Sequence, residues 1–184
     1  MSGFTFIYIS DIHIGHSSPE NEGLVLNAFI KDIANQIESY DIAHTYVVVG
    51  GDLVWNADDY TQYEGFDKQI VEPLVNIGIG RDHFIFTNGN HDCQQSVVSS
   101  NSYSHTLAIE RRYQESEFND WILQDRCCVE KFNMFKRYLN EKFSIENYDV
   151  KCNSFEIDED WCILSLNTSL ASLASFQGKR DERN

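Results

Sequence analysis

The stretch Gly89-Asn90-His91-Asp92 decides the fold, because it follows the apolar run of residues 83–88 and stands where a buried strand would end. Two earlier apolar runs, residues 4–9 and 46–49, also lead directly into polar turns. The polar residues of those turns are Asp11 and His13 after the first run and Asp52 after the second. In an open α/β sheet, ligands bind outside the carboxyl ends of the strands. We therefore expect the three turns to converge on one site.

The length and composition of the chain are those of a globular domain. It has 184 residues, of which 42% are hydrophobic and 13% aromatic, enough to bury a full core. We expect one domain over residues 1–184. The sequence has no run of about 18 apolar residues, and its first residues lack a basic segment and a small-residue cleavage site. These features predict a cytoplasmic protein with no membrane partner.

The five cysteines show no zinc-binding or redox spacing, since no C-x-x-C pair occurs among them. They are Cys93, Cys127, Cys128, Cys152 and Cys162. We interpret them as reduced thiols that fill apolar positions.

The charge balance is strongly acidic and uneven along the chain. Against 14 Lys and Arg residues stand 29 Asp and Glu, a formal net charge of −15. Residues 1–92 hold 14 acidic and only 3 basic residues, so the part with the polar turns carries most of the excess. Such a surface repels a phosphate backbone, which argues against a broad nucleic-acid groove without excluding nucleic acid as a partner. It also suits a site for divalent cations.

Hydrophobic periodicity predicts alternating strands and helices up to the third apolar run. Apolar residues recur at helical spacing from Glu22 to Tyr40, with Asn21 as the helix cap, and again from Thr61 to Asn76. Pro73 should kink the last turn of the second helix. Residues 44–49 are apolar on both faces, as in a central parallel strand. This β-α-β-α-β order predicts an α/β fold with a parallel sheet and right-handed crossovers.

The chain changes character after the third turn. Residues 93–104 are polar and aperiodic, which predicts a mobile surface loop beside the site. A charged helical insertion is expected at about residues 105–145, with two helices within residues 107–143. Its mixed charges are typical of a solvated face, and its aromatic stripe is interpreted as packing rather than as a platform for bases. Residues 152–157 and 161–167 predict a β-hairpin.

The polar residues of the three turns are metal ligands by type. They are Asp11, His13, Asp52, Asn90 and His91. Oxygen and imidazole ligands suit Mn, Fe or Zn. Two residues apart in an extended turn, Asp11 and His13 point to the same side and can reach one ion. Two such ions about 3.5–4 Å apart can clamp the attacking and leaving oxygens of an in-line displacement at phosphorus.

In order and spacing, Asp11-Ile12-His13, Gly51-Asp52 and Gly89-Asn90-His91-Asp92 resemble the first three motifs of the calcineurin-like metallophosphoesterases. The resemblance implies a sandwich of two mixed β-sheets flanked by helices. It also implies two divalent metal ions, and hydrolysis of a phosphoester by a metal-bound hydroxide.

The family pattern implies a role for each matching residue. Asp11 and His13 would bind the first metal, Asp52 would bridge the two metals, and Asn90 would bind the second. His91 would be the catalytic acid at the leaving oxygen, a role in which imidazole operates near its own pKa.

Other residues near the turns are weaker candidates. Asp92 is expected to orient the third turn through hydrogen bonds. His16 could contact a substrate phosphate, although an exposed loop histidine is the simpler interpretation. Trp55 and Asn56 could line the pocket, and Trp55 could equally serve packing. Asn167 ends the predicted hairpin and is a further candidate.

The chain departs from the family pattern in its later part. The family supplies further metal-binding histidines from a Gly-His and a Gly-His-x-His motif, and this sequence has neither. Its histidines are His13, His16, His44, His83, His91 and His105. The missing motifs favour a sandwich that is incomplete at its C-terminal side. We expect the chain to be the front part of a longer protein, whose larger C-terminal region completes the site. His105 could substitute only if the insertion folds back over the site.

These patterns favour a phosphodiesterase or phosphomonoesterase. The serine/threonine phosphatases of the superfamily carry Asp-Arg-Gly after Gly-Asp and a Glu after Gly-Asn-His, whereas here Leu53 follows Asp52 and Asp92 replaces the Glu. Two alternatives stay open: a nuclease of the same superfamily, and a catalytically silent metal-binding or interaction module.

Overall fold

Three short strands pair in parallel to form the central sheet. They are β1 (Thr5–Ile9), β2 (Thr45–Val49) and β3 (Phe84–Phe86), in the order β1-β2-β3. The computed structural model describes residues 3–100 and 127–170, without the side chains of residues 98–100 and 127–128. The predicted α/β class, parallel sheet and central position of the second strand are confirmed.

The register of the sheet brings the three strand ends to one level. Ile9 lies opposite Val49, and Val49 lies opposite Phe86. The three polar turns therefore begin side by side at one edge of the sheet, as the sequence predicted.

The first crossover is helix α1 (Pro19–Ile37), which begins earlier than expected. Ser18 is the N-cap, and its hydroxyl accepts a hydrogen bond from the Asn21 N–H at 3.4 Å. Pro19 fits the first turn because its missing N–H would have no helical partner there. The prediction of Asn21 as the cap is wrong, since the polar run before Glu22 already belongs to the first turn.

The second crossover is a helical stretch in three parts: α2 (Tyr60–Phe66), a π-helical segment (Asp67–Val71) and α3 (Glu72–Ile77). The irregularity precedes Pro73 instead of kinking the last turn. A proline lacks the N–H that an α-helix needs, and a wider turn before it is one way to accommodate that loss.

The segment after β3 differs from the expected irregular loop. Helix α4 (Gln95–Ser100) occupies part of it, and Cys93 and Gln94 are buried. The Gln94 N–H donates to the Lys131 carbonyl at 2.7 Å, so contacts with the later chain order a segment that looks aperiodic. Residues 101–126, with His105 and much of the predicted insertion, lie outside the described residues, and the division into one domain with an insertion stays a prediction.

Two helices follow the gap: α5 (Cys127–Glu130) and α6 (Asn133–Phe143). The aromatic stripe of α6 packs against the core, as interpreted from the sequence. Phe135 and Tyr138 are fully buried, and the Tyr138 ring stacks on Tyr63 of α2 with 5.3 Å between centroids.

A second, smaller sheet is the antiparallel hairpin of β4 (Cys152–Glu156) and β5 (Cys162–Leu166), which confirms the predicted hairpin. Hydrogen bonds join it to the central sheet. Ser165 donates through Oγ to the Phe86 carbonyl at 2.9 Å, and the Tyr46 hydroxyl donates to the Ile157 carbonyl at 3.4 Å. Within the described residues, the two sheets are thus one parallel and one antiparallel.

The cysteines fit the sequence interpretation only in part. Cys93 is buried in the core, forms no disulfide and agrees with the interpretation. Cys152 and Cys162 are free but exposed, because they stand at the outward positions of the hairpin. No helix among residues 3–100 and 127–170 combines the length and apolarity that crossing a membrane requires.

Candidate metal centre

The first two turns continue the pairing of β1 and β2 beyond the strand ends. The Asp11 N–H donates to the Gly51 carbonyl at 3.1 Å, and the His13 N–H donates to the Asp52 carbonyl at 3.0 Å. Ile14 then forms an isolated parallel bridge with Val54. Main-chain hydrogen bonds therefore fix the spacing between the two turns.

Asp92 joins the third turn to the second. Its Oδ2 accepts from the N–H groups of Asp52 at 2.8 Å and Gly89 at 2.9 Å, and its Oδ1 accepts from the Leu53 N–H at 3.2 Å. Burial raises the pKa of Asp92 to about 7, although the three N–H donors favour the carboxylate. This arrangement agrees with the expected orienting role of Asp92.

Glycines allow the second and third turns to touch. A Cβ on Gly51, where φ is +101°, would lie 2.5 Å from the Gly89 nitrogen, and a Cβ on Gly89 would collide with Asp52. Any larger side chain at either position would push the two turns apart.

Three residues of the first two turns have left-handed backbone conformations. The φ angles are +56° at Asp11, +51° at His13 and +54° at Asp52. Among the described non-glycine residues, Ser144 at the end of α6 has the one other positive φ. Left-handed conformations of non-glycine residues cluster at functional sites, where the surrounding structure holds them. Here all three residues are predicted metal ligands.

The side-chain distances fit a metal ion. His13 Nε2 lies 3.9 Å from Asp11 Oδ1 and 4.0 Å from Asp52 Oδ2, too far for hydrogen bonds. Metal bonds of about 2.0–2.2 Å place neighbouring ligand atoms about 3–4 Å apart. Ligand atoms of His13, Asp52 and His91 lie within 4.8 Å of one another. Burial, followed by the nearby His91, lowers the pKa of His13, which favours the neutral imidazole that metals bind.

A cavity of about 190 Å³ opens at this edge of the sheet. Asp11, Asp52 and Asn90 line it from the three turns, whereas His13 and His91 are not among its lining residues. Thr168 and Ser169 form part of the opposite wall. Sequence reasoning missed these two residues, and their one signal was their position directly after the predicted hairpin.

A family model described as calcineurin-like phosphoesterase matches residues 4–166, from just before β1 to the end of β5. The chain belongs to this family. Comparisons with curated proteins and with solved structures found no match. The match covers the three turns and the hairpin, and proteins of this family typically bind divalent metals, so the geometry and the family agree on a metal centre.

His91 has a defined place in the phosphoesterase site. Its N–H donates to Asp52 Oδ1 at 2.7 Å, and its Nδ1 lies 3.1 Å from the Trp55 carbonyl oxygen. Its ring centroid is 4.4 Å from that of His13. Its role as a catalytic acid stays a prediction, because the same position also places it among the ligand atoms.

The weaker candidates separate into two groups in the phosphoesterase structure. Asn167 is structural, since its Nδ2 donates to the Val150 carbonyl at 2.6 Å and its Oδ1 accepts from the Ser169 N–H at 2.6 Å. Asn56 caps a local turn by accepting from the Asp58 N–H. Trp55, by contrast, lies against His13 and His91, and the exposed His16 packs on Trp55.

Proposed function

We propose that the chain hydrolyses a phosphomonoester or phosphodiester with two divalent cations, Mn, Fe or Zn. The observation that carries this proposal is that Asp11, Asp52 and Asn90 converge from the three turns on one polar cavity. His13 Nε2 lies within 4.0 Å of a carboxylate oxygen of both Asp11 and Asp52. Asp11 and His13 would hold the first cation, Asp52 would contact both, and Asn90 would hold the second. Such cations, when bound, would neutralise phosphoryl charge and lower the pKa of water, so that hydroxide is available to attack phosphorus near neutral pH.

Asp52 is positioned for a bridging role by its two oxygens. Oδ1 accepts from the His91 N–H, while Oδ2 faces His13. The side chain is largely buried, so its orientation is fixed before any cation arrives.

The chain's own groups also suit proton transfer to a leaving oxygen. The Trp55 carbonyl can only accept, so His91 Nδ1 carries a hydrogen and Nε2 is the atom that can exchange a proton in the site. Asp92 holds the turn on which His91 stands. The proposed acid is therefore oriented by main-chain contacts on both sides.

The substrate is proposed to be a small phosphoester rather than a nucleic-acid tract. The cavity is small and polar, and the part of the chain that bears it has 14 acidic and 3 basic residues. A polyanionic strand would be repelled by that surface outside the metal centre. A nuclease of the same superfamily is the less favoured form of the proposal, and the cytoplasmic location stays a prediction.

A larger C-terminal region is proposed as a partner that covers the exposed apolar surface of the two sheets. The large apolar side chains that are about half exposed or more on these elements are Phe6, Tyr8, Trp161, Leu164 and Leu166. Monomeric proteins rarely leave large contiguous apolar patches in water.

A metal-binding or interaction module without turnover is the second candidate. Within the described residues, the cluster of possible His, Cys and acidic ligands contains His13, Asp52 and His91. The second cation would then depend on Asp52 and Asn90, and two ligands hold a cation weakly.

Hydrolysis of a chromogenic phosphodiester and the matching monoester with added Mn²⁺ tests the proposal. The variant is Asp52→Asn, and Asp160→Asn in the exposed hairpin turn is the matched control. Asparagine tolerates a left-handed backbone and keeps an acceptor for the His91 N–H, so the fold should persist. We expect turnover to fall at least about 100-fold in Asp52→Asn, as for loss of an essential electrostatic group, and to stay unchanged in the control.

The same hydrolysis experiment separates the phosphoesterase from the module without turnover. Turnover that survives in Asp52→Asn contradicts the proposed mechanism. Mn²⁺ binding by the parent chain without turnover of either ester favours the silent module, and the ratio of the two rates fixes the ester class.

A further inference from the structure

One indole contacts the histidines of both the first and the third turn. The Trp55 ring centroid lies 4.6 Å from that of His91, and the two planes differ by only 25°. Its distance to the His16 ring is 4.3 Å, and to the His13 ring it is 5.6 Å. Trp55 itself follows the second turn, and its ring contacts join that turn to the first and third turns.

The main chain of Trp55 also fixes the proton on His91. The Trp55 carbonyl oxygen lies 3.1 Å from His91 Nδ1, and a carbonyl can only accept a hydrogen bond. Nδ1 therefore carries the hydrogen, and the lone pair of the neutral ring is on Nε2.

Trp55 is itself held from two directions. Its N–H donates to the Ile14 carbonyl at 2.9 Å and to Gln62 Oε1 at 3.1 Å. The same Gln62 oxygen accepts from the Asn56 N–H at 2.9 Å. Gln62 also fills the space beside Gly15, where a Cβ would lie 2.5 Å from its side chain. A residue of α2 thus anchors Trp55 to the first turn.

We propose that Trp55 is a positioning residue for His91. The stacked indole sets the plane of the imidazole, and the carbonyl sets its tautomer, so that Nε2 is presented to the leaving oxygen of the substrate. The inference rests on the proposed function, because it gives the orientation of the proposed acid. Packing alone would not need a near-parallel stack on a polar ring together with a hydrogen bond to the same ring.

Kinetics of Trp55→Leu and Trp55→Phe test the stacking, with Tyr40→Leu as the control. Tyr40 is 53% exposed after the end of α1 and stands outside the site. General acid catalysis accelerates the chemical step by about 10²–10⁴-fold. A misplaced acid therefore reduces the rate of that step. We expect kcat to fall about 10- to 100-fold in Trp55→Leu, with KM and bound metal within about twofold.

The conservative variant separates positioning from folding. Trp55→Phe keeps a stacking ring and should retain kcat within about threefold, and Tyr40→Leu should behave as the parent. Equal losses in the Phe and Leu variants, or a fall in bound metal that matches the fall in kcat, would overturn the proposal.

Long-range ¹H–¹⁵N correlation spectra of the histidine side chains provide a readout without turnover. The neutral His91 ring of the parent chain should show the Nδ1–H tautomer, and that of Trp55→Leu should show a mixture. An Nε2–H tautomer in the parent overturns the inference even if hydrolysis is observed. If no ester is hydrolysed, the proposed function fails, and the tautomer decides the positioning separately. If Trp55→Leu does not fold, the tautomer of the parent decides.

Discussion

Asp11, His13 and Asp52 hold backbone conformations that L residues rarely adopt. Such conformations cost on the order of 1–3 kcal/mol each. They persist because the first two turns are joined by main-chain hydrogen bonds on both sides of these residues. The strained residues bring the carboxylates of Asp11 and Asp52 to one cavity and place the imidazole of His13 beside both carboxylates.

Removing the strain at Asp11 should stabilise the metal-free protein. The Asp11 side chain is 69% exposed, so Asp11→Gly loses little packing while glycine adopts a φ of +56° without penalty. We expect a gain of about 1 kcal/mol in the free energy of unfolding, measured by urea denaturation in EDTA, and weaker Mn²⁺ binding.

Asp11→Ala is the matched control for that experiment. It removes the same carboxylate but keeps a Cβ at the left-handed position. The stability gain should therefore be absent in Ala and present in Gly. Equal stabilisation in both would mean that relief of charge repulsion, rather than of backbone strain, is responsible.

The buried Asp92 makes the stability of the metal-free protein depend on pH. Its folded pKa of about 7 lies above the ordinary value of 3.8, so between these values the folded state keeps a proton that the unfolded state has lost. This contribution is present below pH 3.8 and is lost as pH rises through 7, by up to about 4 kcal/mol. Denaturation at pH 5 and pH 8 measures this loss of stability. In Asp92→Asn, the part of the pH dependence of the unfolding free energy that comes from Asp92 should vanish.

Candidate ligands could be named from the sequence, whereas the geometry of the site could not, and their role as ligands stays a prediction. Asp11, His13 and Asp52 are recognisable as candidates because residue type and spacing are local properties. The contact of Trp55 with His91 and the wall formed by Ser169 depend on chain segments far apart in sequence. A strand end followed by hydroxyl residues is too common a pattern to indicate a cavity.

The helices that flank the sheet are held by one buried ion pair. Asp67, in the π-helical segment, is 2% exposed and accepts from Arg81 Nη1 at 2.8 Å. Lys142, near the end of α6, lies 3.4 Å from the same carboxylate. Arg81 thus links the second crossover to the segment before β3, and Lys142 links it to α6.

Breaking this pair should cost far more than breaking a surface pair. Arg81→Met leaves the buried Asp67 with only the more distant Lys142, and we expect a loss of about 2–4 kcal/mol in the free energy of unfolding. Arg137→Met removes the exposed pair with Glu141, whose N–O distance of 2.7 Å is nearly the same, and should cost less than about 1 kcal/mol. Similar losses in both variants, measured by denaturation, would contradict the dependence on burial.

Element types were predicted better than element boundaries. The amphipathic pattern indicated α1, but Ser18 and Pro19 start it earlier because capping chemistry outweighs polarity in the first turn. Residues 95–100 look aperiodic and are helical, since the hydrogen bond of Gln94 to Lys131 orders the start of that segment. Periodicity in one segment carries no information about a partner 37 residues later.

The whole molecule is acidic enough to influence cation binding at its site. The net charge is −15, and the first 92 residues hold 14 acidic residues against 3 basic ones. The summed potential should raise the local concentration of divalent cations. Salt screens such a field, with a Debye length of about 30 Å at 0.01 M and about 8 Å at 0.15 M.

Mn²⁺ affinity should therefore fall as ionic strength rises. We expect the dissociation constant, measured by titration calorimetry, to increase several-fold between 10 and 150 mM KCl. Sucrose at equal osmolality is the control and should leave the affinity unchanged. A dissociation constant that does not respond to KCl would mean that the nearest ligands alone determine binding.

The hydrogen bonds between the first two turns come from the main chain, and so do the donors to Asp92 among the described residues. The frame of the pocket thus does not depend on the side chains of Asp11 and His13. Over evolutionary time, a descendant could exchange Asp11 or His13, lose its reactivity and still present the same cleft. The cleft can therefore persist as a binding site in a descendant that has lost catalysis.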